Sequence, residues 1–211
     1  MNGILFKPWK IKAIADNPDM EWQFREVIKP QPVYERGVLR WIKSPNKIDI
    51  NMDDHADLAI LYARYKVGEL VYIKEAHKLW ASTDYGCWKV EYKDGVIEDC
   101  NCVVDPETDN SHWFYELAKW RSPLFMPAWA ARYFIRMTGV EAQRLQEISI
   151  DDCKAEGIHG YTLAKGCLSD NPPDQRWKFI ELWNTINPKY PWDSNCWVFK
   201  YRFKLEAKAE S

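Results

Sequence analysis

The stretch that decides the fold is residues 4–32, ILFKPWKIKAIADNPDMEWQFREVIKPQP. Its short apolar start predicts a strand that ends at Pro8, because proline cannot donate a hydrogen bond to a β-ladder. Apolar residues then interleave with lysines over residues 9–14, which predicts one or two amphipathic helical turns. After the turn signal at residues 17–19, the pattern of residues 22–28 predicts a strand with aromatic side chains on one face.

The overall composition is typical of a globular protein with one core. The chain has 211 residues, of which 46% are hydrophobic and 28% are charged, and this size and balance predict a single domain. No apolar run is long enough to span a bilayer, and the first residues lack the pattern of a secretory signal. We therefore expect a cytoplasmic protein that does not bind a membrane and whose six cysteines are reduced.

Charge and tryptophan content both bear on the partner. The formal net charge of −2 argues against a nonspecific polyanion binder, but residues 1–47 are basic and residues 84–116 are acidic. This uneven distribution is compatible with nucleic acid bound at one place only. The chain also has 12 tryptophans, and we expect some to be exposed, because so many indole N–H groups rarely all find partners inside a core.

The aromatic residues of the first stretch have two interpretations. Either Trp9, Trp22 and Phe24 belong to the core, since large aromatic side chains dominate protein cores, or they form a surface on which a base stacks. The cations that would surround such a surface are Lys7, Lys10, Lys12, Arg25 and Lys29.

Several other segments carry clear structural signals, among them a strand that ends in an Asp-Gly hairpin turn at residues 94–95. Residues 65–75 predict a strand, because Gly68 marks a turn before apolar and polar residues alternate. In residues 149–157, Ser149 is a predicted helix N-cap with Asp152 in the capping-box position, and Gly157 is a predicted helix stop. Helical periodicity over residues 177–187 and alternation over residues 196–203 predict a further helix and a closing strand.

Potential metal ligands are present but poorly spaced. Their spacing matches no standard zinc motif, so we expect no metal and no other cofactor, and thiols that are buried or incidental. These residues are Cys87, Cys100, Cys102 and His112.

Three parts of the chain resemble one family, the phage-type ASCH domain proteins of the PUA-like superfamily. Residues 4–32 resemble the family opening, with its I-L-F-x-x-P start and V-I-K-P-Q-P end. Residues 65–78 resemble the Y-x-x-G-D-x-V-x-V-K-E strand. Residues 120–203 resemble the W-x-x-S-x-x-M-P-x-W-A-S-R and L-Q-x-I-S-x-x-D-A-x-A-E-G-I segments and the family's closing strand.

The resemblance implies an α+β fold, a PUA-like small mixed β-barrel with flanking helices, in which residues 1–211 form a single domain with an acidic insertion around residues 84–116. It implies a phage or prophage accessory protein that binds RNA or a modified nucleobase or nucleoside. The implied groove lies between the first helix and strand, the loop at residues 120–132 and the helix that ends at Glu156.

The resemblance also implies the site residues. Glu156 stands where the related 4-acetylcytidine amidohydrolases have an acid/base glutamate, which makes it the candidate catalytic residue. The candidate ligand-binding residues are Lys7, Trp9, Trp22, Phe24, Arg25, Lys29, Glu75, Trp129 and Arg132.

Two alternatives concern the side chains of this site. Glu75 is either a polar contact or a solvated carboxylate at a strand end. Arg132 and Trp129 either bind a base or phosphate, or Arg132 pairs with a carboxylate while Trp129 fills the core.

The chain departs from the family pattern at five positions. Glu21 and Phe24 replace the lysine and threonine that are catalytic in the amidohydrolases, and these changes count against that chemistry. Because they lower the positive potential of the groove, Glu26 and Ala128 favour a smaller or less charged ligand. The fifth departure is Trp22.

Three functions therefore remain open. The first is binding of RNA or of a modified nucleoside. The second is an amidohydrolase or a ribonuclease that uses Glu156, and the third is a phage protein that binds a host protein through surface tryptophans. The oligomeric state is not predicted by any of these patterns.

Overall fold

A computed structural model of the chain describes residues 1–43, 48–52, 56–81, 88–100, 119–158 and 176–206. The strands in this part of the chain are β1 (Asn2–Leu5), β2 (Glu21–Val27), β3 (Val33–Glu35), β4 (Val38–Lys43), β5 (Ile48–Asn51), β6 (Leu70–Lys74), β7 (His77–Ala81), β8 (Trp88–Tyr92), β9 (Ile97–Cys100), β10 (Phe134–Arg144) and β11 (Trp197–Glu206).

The helices complete an α+β fold, as the sequence predicts. The α-helices of the described residues are α1 (Pro8–Asp16), α2 (Ile150–Ala155) and α3 (Trp177–Ile186). Short 3-10 helices span Ala56–Tyr62, Pro123–Phe125, Ala128–Ala130, Leu145–Glu147 and Trp192–Ser194.

The chain forms two compact units, each assembled from separate segments. Unit 1 comprises Met1–Pro18, Leu70–Arg136 and Leu205–Ser211. Unit 2 comprises Asp19–Glu69 and Met137–Lys204.

Unit 1 contains two strand arrangements. In the first, β6 lies between β1, which is parallel to it, and the first residues of β10, which are antiparallel. In the second, β7, β8 and β9 form an antiparallel sheet in which His77 lies opposite Tyr92. Gly95 has a φ of 84° in the turn between β8 and β9, so the Asp-Gly hairpin predicted from the sequence is confirmed.

The core of unit 1 holds the loop that precedes β10. The hydroxyl of Tyr72 donates to the carbonyl of Met126 at 3.0 Å, and the hydroxyl of Tyr92 donates to the carbonyl of Ala130 at 2.9 Å. Leu79, Val90 and Ala131 are buried with these residues. The loop is therefore fixed at two backbone positions by tyrosines of β6 and β8.

Unit 2 is built around the pairing of β2 with β11. The two strands are antiparallel, with Arg25 opposite Lys200 and Phe24 opposite Tyr201, and β10 lies on the other side of β11. A separate antiparallel sheet contains β3, β4 and β5. Its first turn has positive φ at Arg36 and Gly37 (52° and 81°), as a tight hairpin requires.

The two faces of the β2–β11 pair are covered by different groups. On one face, Trp22 and Phe24 pack with Tyr65, Tyr201 and Phe203, and the Phe24 ring stacks on Tyr201 with centroids 4.7 Å apart. The other face packs against an apolar cluster that includes residues of α2 and α3: Val27, Leu145, Ile148, Cys153, Phe179, Trp183, Cys196 and Val198.

The start of α2 confirms the predicted capping box. The Ser149 hydroxyl accepts from the Asp152 N–H at 3.0 Å, and the Asp152 carboxylate accepts from the Ser149 N–H at 3.1 Å. Gly157 follows the helix with a φ of 84°, which is the left-handed conformation typical of a helix stop.

The finer architecture stays a prediction. The described strands of neither unit close into a barrel, so the PUA-like barrel is not confirmed, and the single domain likewise remains an expectation. No helix among the described residues is both long and apolar enough to cross a membrane.

We expect Trp22→Ala to lower the free energy of unfolding by about 3–5 kcal/mol, because removal of a fully buried tryptophan leaves a cavity. Trp9→Ala is the matched control, since Trp9 is 42% exposed and its loss should cost no more than about 0.5 kcal/mol. Urea unfolding followed by circular dichroism measures both variants. Equal losses would show that the packing around Trp22 is not as described.

Candidate functional site

The residues predicted for the groove are distributed over both units. Unit 2 contains Trp22, Phe24, Arg25, Lys29 and Glu156, whereas unit 1 contains Lys7, Trp9, Glu75, Trp129 and Arg132. The groove itself stays a prediction, and the geometry of each unit is given separately.

Alternation along β2 separates the predicted residues of unit 2. Trp22 and Phe24 lie on the aromatic face, opposite Phe203 and Tyr201 of β11. Arg25 lies on the other face, opposite Lys200. Arg25 therefore shares a face with charged residues of β11, while its two aromatic neighbours belong to the core.

Arg25 joins β2 to the helix that carries Glu156. Its Nη1 donates to Glu156 Oε1 at 2.5 Å and its Nη2 donates to Asp152 Oδ2 at 3.0 Å. The Arg25 side chain has no exposed surface, and the guanidinium carbon lies 5.9 Å from the centroid of the Phe179 ring. The structure therefore brings two predicted site residues together, as a buried ion pair.

The ion pair extends into a network on the same face. Lys200 Nζ lies 3.0 Å from Asp152 Oδ1 and 3.7 Å from Glu141 Oε2. Arg202 Nη2 donates to Glu141 Oε1 at 2.8 Å. A Cβ at Gly139 would lie 2.6 Å from the Nε of Arg202, so this glycine leaves the space that the guanidinium occupies.

The network keeps its central carboxylate ionised. Burial acts to raise the pKa of Asp152, but the Ser149 N–H and the Lys200 and Arg25 side chains outweigh burial and hold this pKa below its usual value. The adjacent Cys153 differs, because burial raises the pKa of its thiol to about 11. Cys153 is therefore a neutral core thiol at physiological pH and not an activated nucleophile.

The remaining predicted residues of unit 2 are two core aromatics and a surface lysine. Trp22 is fully buried and Phe24 is half-buried in the aromatic cluster, which is where the core interpretation placed them. Lys29 is exposed, with its ammonium 5.9 Å from the ring centroid of Tyr190.

In unit 1, Glu75 and Arg132 form a second buried ion pair. Arg132 Nε donates to Glu75 Oε2 at 2.9 Å, and Arg132 Nη2 donates to Glu75 Oε1 and to Asp94 Oδ2, each at 2.7 Å. The guanidinium carbon also lies 4.1 Å from the ring centroid of Tyr92. Arg132 therefore pairs with a carboxylate, as one of its two interpretations predicted. Glu75 is buried and paired, so it is not a solvated carboxylate at a strand end.

The other predicted residues of unit 1 are exposed. Lys7 is the N-cap residue of α1, and Trp9 lies in the first turn of that helix. Trp129 lies in the 3-10 helix Ala128–Ala130 and is 44% exposed. Trp129 therefore does not fill the core.

Sequence reasoning did not select the outer face of the β7–β8 hairpin. Trp80 is 40% exposed, and the Lys78 ammonium lies 3.8 Å from its ring centroid. Trp120 is 41% exposed, and the Lys93 ammonium lies 3.7 Å from its ring centroid. The alternation of residues 77–81 is a signal that places Lys78 and Trp80 on one face of a strand. Lys93 and Trp120 are far apart in the sequence, so no local pattern predicts their contact.

One buried polar residue lies on the inner face of the same hairpin. His77 is fully buried, and its Nδ1 donates to the Glu75 carbonyl at 3.1 Å. Its Nε2 has no hydrogen-bond partner among the described residues. Burial, together with the charge of Arg121, lowers the pKa of His77 below 6.5 despite the opposing effect of the Glu75 bond.

The described residues contain no cluster of His, Cys, Asp and Glu that could hold a metal ion. Of the thiols and histidine considered above, Cys87, Cys102 and His112 lie outside the described residues, as does the side chain of Cys100.

Comparison with known proteins identifies no relative. No family model matches the chain, and searches of the curated proteins and of the solved structures gave no match. Functional inference therefore starts from the geometry.

We expect Arg25→Met to lower the free energy of unfolding by about 3–5 kcal/mol, because it leaves two carboxylates without their buried partner. Glu156→Gln should cost less, since a glutamine oxygen still accepts from Arg25. Arg136→Met, which removes an exposed ion pair with Glu206, is the control and should shift the urea midpoint little. Similar urea midpoints for the Arg25 and Arg136 variants would contradict the prediction that the buried ion pairs stabilise the fold more than the exposed one does.

We expect the chain to lose stability as the pH falls below 6.5, in part through His77. Its folded-state pKa is lowered, so between 6.5 and that lower pKa only the unfolded chain binds the proton, and unfolding becomes more favourable. The measurement is the free energy of unfolding at pH 7.5, 6.5 and 5.5, for the natural chain and for His77→Gln. The variant should show a smaller pH slope, and an unchanged slope would exclude His77 as a source.

Proposed function

We propose that the chain is an ASCH-type, PUA-like protein that binds RNA or a modified nucleobase or nucleoside, with the exposed tryptophans of unit 1 as its contact surface. The observation that carries the proposal is the lysine ammonium seated on each of two exposed tryptophan rings, Lys78 on Trp80 and Lys93 on Trp120. The motifs shared with the ASCH family and the α+β fold class are consistent with it.

Aromatic rings beside cations suit a nucleic-acid ligand. A base that stacks on an exposed aromatic ring contributes about 1–3 kcal/mol, largely independent of which base it is. The ammonium group that lies over each ring supplies positive charge that attracts phosphates. Both features occur together in unit 1, and the base needs no hydrogen-bonding pocket.

The predicted arginines are less suitable as ligand contacts. Arg25 is buried between Asp152 and Glu156, and Arg132 is held by Glu75 and Asp94. Contact with a phosphate would require either arginine to leave its buried ion pair. Breaking such a pair costs about 3–5 kcal/mol. Of the unit 1 lysines, Lys78 has one carboxylate partner, Glu91 at 3.6 Å, in place of the two that hold each arginine.

Hydrolase chemistry at Glu156 is the less favoured function. Phe24, at the family's threonine position, is stacked on Tyr201, and Glu21, at the lysine position, accepts a hydrogen bond from Thr138 at 2.6 Å. Glu156 itself receives a hydrogen bond from Arg25. We therefore prefer binding to catalysis, in the cytoplasm, where RNA is available.

We expect intrinsic tryptophan fluorescence to fall saturably when a short RNA or a matching nucleoside is added, because a stacked base quenches an exposed indole. RNA binding should weaken as salt rises, since bound phosphates release counterions. The double variant Lys78→Ala/Lys93→Ala should bind at least about tenfold more weakly.

The control for that variant is Lys189→Ala, which removes an exposed lysine of unit 2 and should leave the affinity unchanged. No saturable change with any RNA or nucleoside would refute the proposal and favour the host-protein function.

A further inference from the structure

We infer that the outer face of the β7–β9 sheet is a platform for two successive unpaired bases, so that the ligand is a single-stranded oligonucleotide and not a free nucleoside. This inference rests on the proposed function and specifies its ligand class. The platform is defined by the side chains of Lys78, Trp80, Lys89, Glu91, Lys93 and Trp120.

The sheet has a buried face and an outer face. His77 and Leu79 of β7, and Val90 and Tyr92 of β8, are buried. Because side chains alternate along a strand, the residues between them point the other way. The register places Lys78 opposite Glu91 and Trp80 opposite Lys89, so these four side chains share the outer face.

The first stacking position is Trp80, and its ring is held from two directions. Its Nε1 donates to Glu91 Oε2 at 2.9 Å, and the Lys78 ammonium lies over the ring. Lys78 Nζ is also 3.6 Å from Glu91 Oε2. Glu91 thus fixes the indole and the lysine together, which lowers the conformational entropy lost when a base stacks.

The second stacking position is Trp120. Arg121 pairs with His77 through two backbone hydrogen bonds, of 2.8 and 3.4 Å. Since Arg121 lies opposite His77, the preceding Trp120 falls on the outer side, beside Lys78. The Lys93 ammonium lies 3.7 Å from the centroid of the Trp120 ring. The ring therefore lies against the turn between β8 and β9.

The geometry of the sheet sets the spacing of the two rings. Trp80 and Trp120 are on neighbouring chain segments and are offset by about two residues, which corresponds to about 7–8 Å between their backbones. Aromatic residues on adjacent strands of a sheet stack two or three successive bases in known RNA-binding sheets. A free nucleoside would occupy only one of these positions.

Three lysines lie close enough to the two rings to contact the phosphates of a stacked strand. The platform side chains include three lysines and one carboxylate, Glu91, which contacts Lys78 and Trp80. In the register of the sheet, Asp99 of β9 lies opposite Lys89. Lys89 is exposed beside Trp80. These lysines supply positive charge beside the two rings, although two of them belong to a stretch, residues 84–116, that is acidic overall.

Glu91 is a positioning residue in this arrangement. Glu91→Gln keeps an acceptor for the Trp80 N–H, whereas Glu91→Ala releases the ring. If Glu91 acts by orienting Trp80, Glu91→Ala weakens oligonucleotide binding and Glu91→Gln does not. If it acted through its charge alone, the two variants would bind equally.

The test measures the affinity of the full chain for a ligand series by fluorescence anisotropy competition. The series is uridine, UMP, single-stranded oligo(U) of two, four and six nucleotides, oligo(dT) of six nucleotides, and an RNA duplex. We expect the dinucleotide to bind about 5- to 150-fold more tightly than UMP, because the second stacked base adds about 1–3 kcal/mol. The duplex should bind weakly, since its bases are not available to stack. The oligo(dT) arm shows whether the single strand is RNA only or either nucleic acid, and both results fit the platform.

The variants locate the platform. Trp80→Ala and Trp120→Ala should each weaken hexanucleotide binding about 5- to 150-fold, while Trp80→Phe and Trp120→Phe retain most of it. Tyr34→Ala removes an exposed aromatic side chain of unit 2 and serves as the control. Circular dichroism establishes that every variant is folded.

The outcomes separate the two proposals. Absence of binding to every ligand would refute the proposed function, and the platform with it. Binding that survives Trp80→Ala and Trp120→Ala, or UMP that binds as tightly as the hexanucleotide, would overturn the platform alone.

Discussion

The buried ion pairs of Arg25 with Asp152 and Glu156 are the interaction on which unit 2 depends. A buried charge is tolerated only when its partners are close and well oriented, and Arg25 has two carboxylates, from Asp152 and Glu156, within 3.0 Å. Both carboxylates belong to α2 or its C-cap. The position of that short helix on the β2–β11 pair is therefore fixed by the two ion pairs of Arg25.

The same strand pair shows why its register is unique. A shift of one residue would move Phe24 and Tyr201 onto the charged face and Arg25 and Lys200 into the aromatic cluster. Both faces oppose that change, because the aromatic cluster offers Arg25 no carboxylate pair and the ionic network would lose its central cation. Ionic and aromatic contacts thus specify one pairing jointly.

Local signals explain how much of the fold was predictable. The capping box at Ser149, the Asp-Gly turn and the alternation in β2 and β11 each depend on residues near one another in sequence, and each is confirmed. The partners of Glu156 and Arg132 were not predictable in this way. Arg25 and Glu156 are 131 residues apart, and Glu75 and Arg132 are 57 residues apart. A local sequence pattern cannot predict contacts over such separations. For the same reason composition indicated exposed tryptophans but not which ones.

The loop that precedes β10 is held by its backbone. Tyr72 and Tyr92 bind the carbonyls of Met126 and Ala130, and any residue at those positions offers the same carbonyl. Leu124, Phe125 and Trp129 project from the loop with large exposed surfaces. Substitution of Leu124 and Phe125 can therefore leave the path of the loop unchanged, which makes the loop a natural region for diversification and a favourable one for a randomised library.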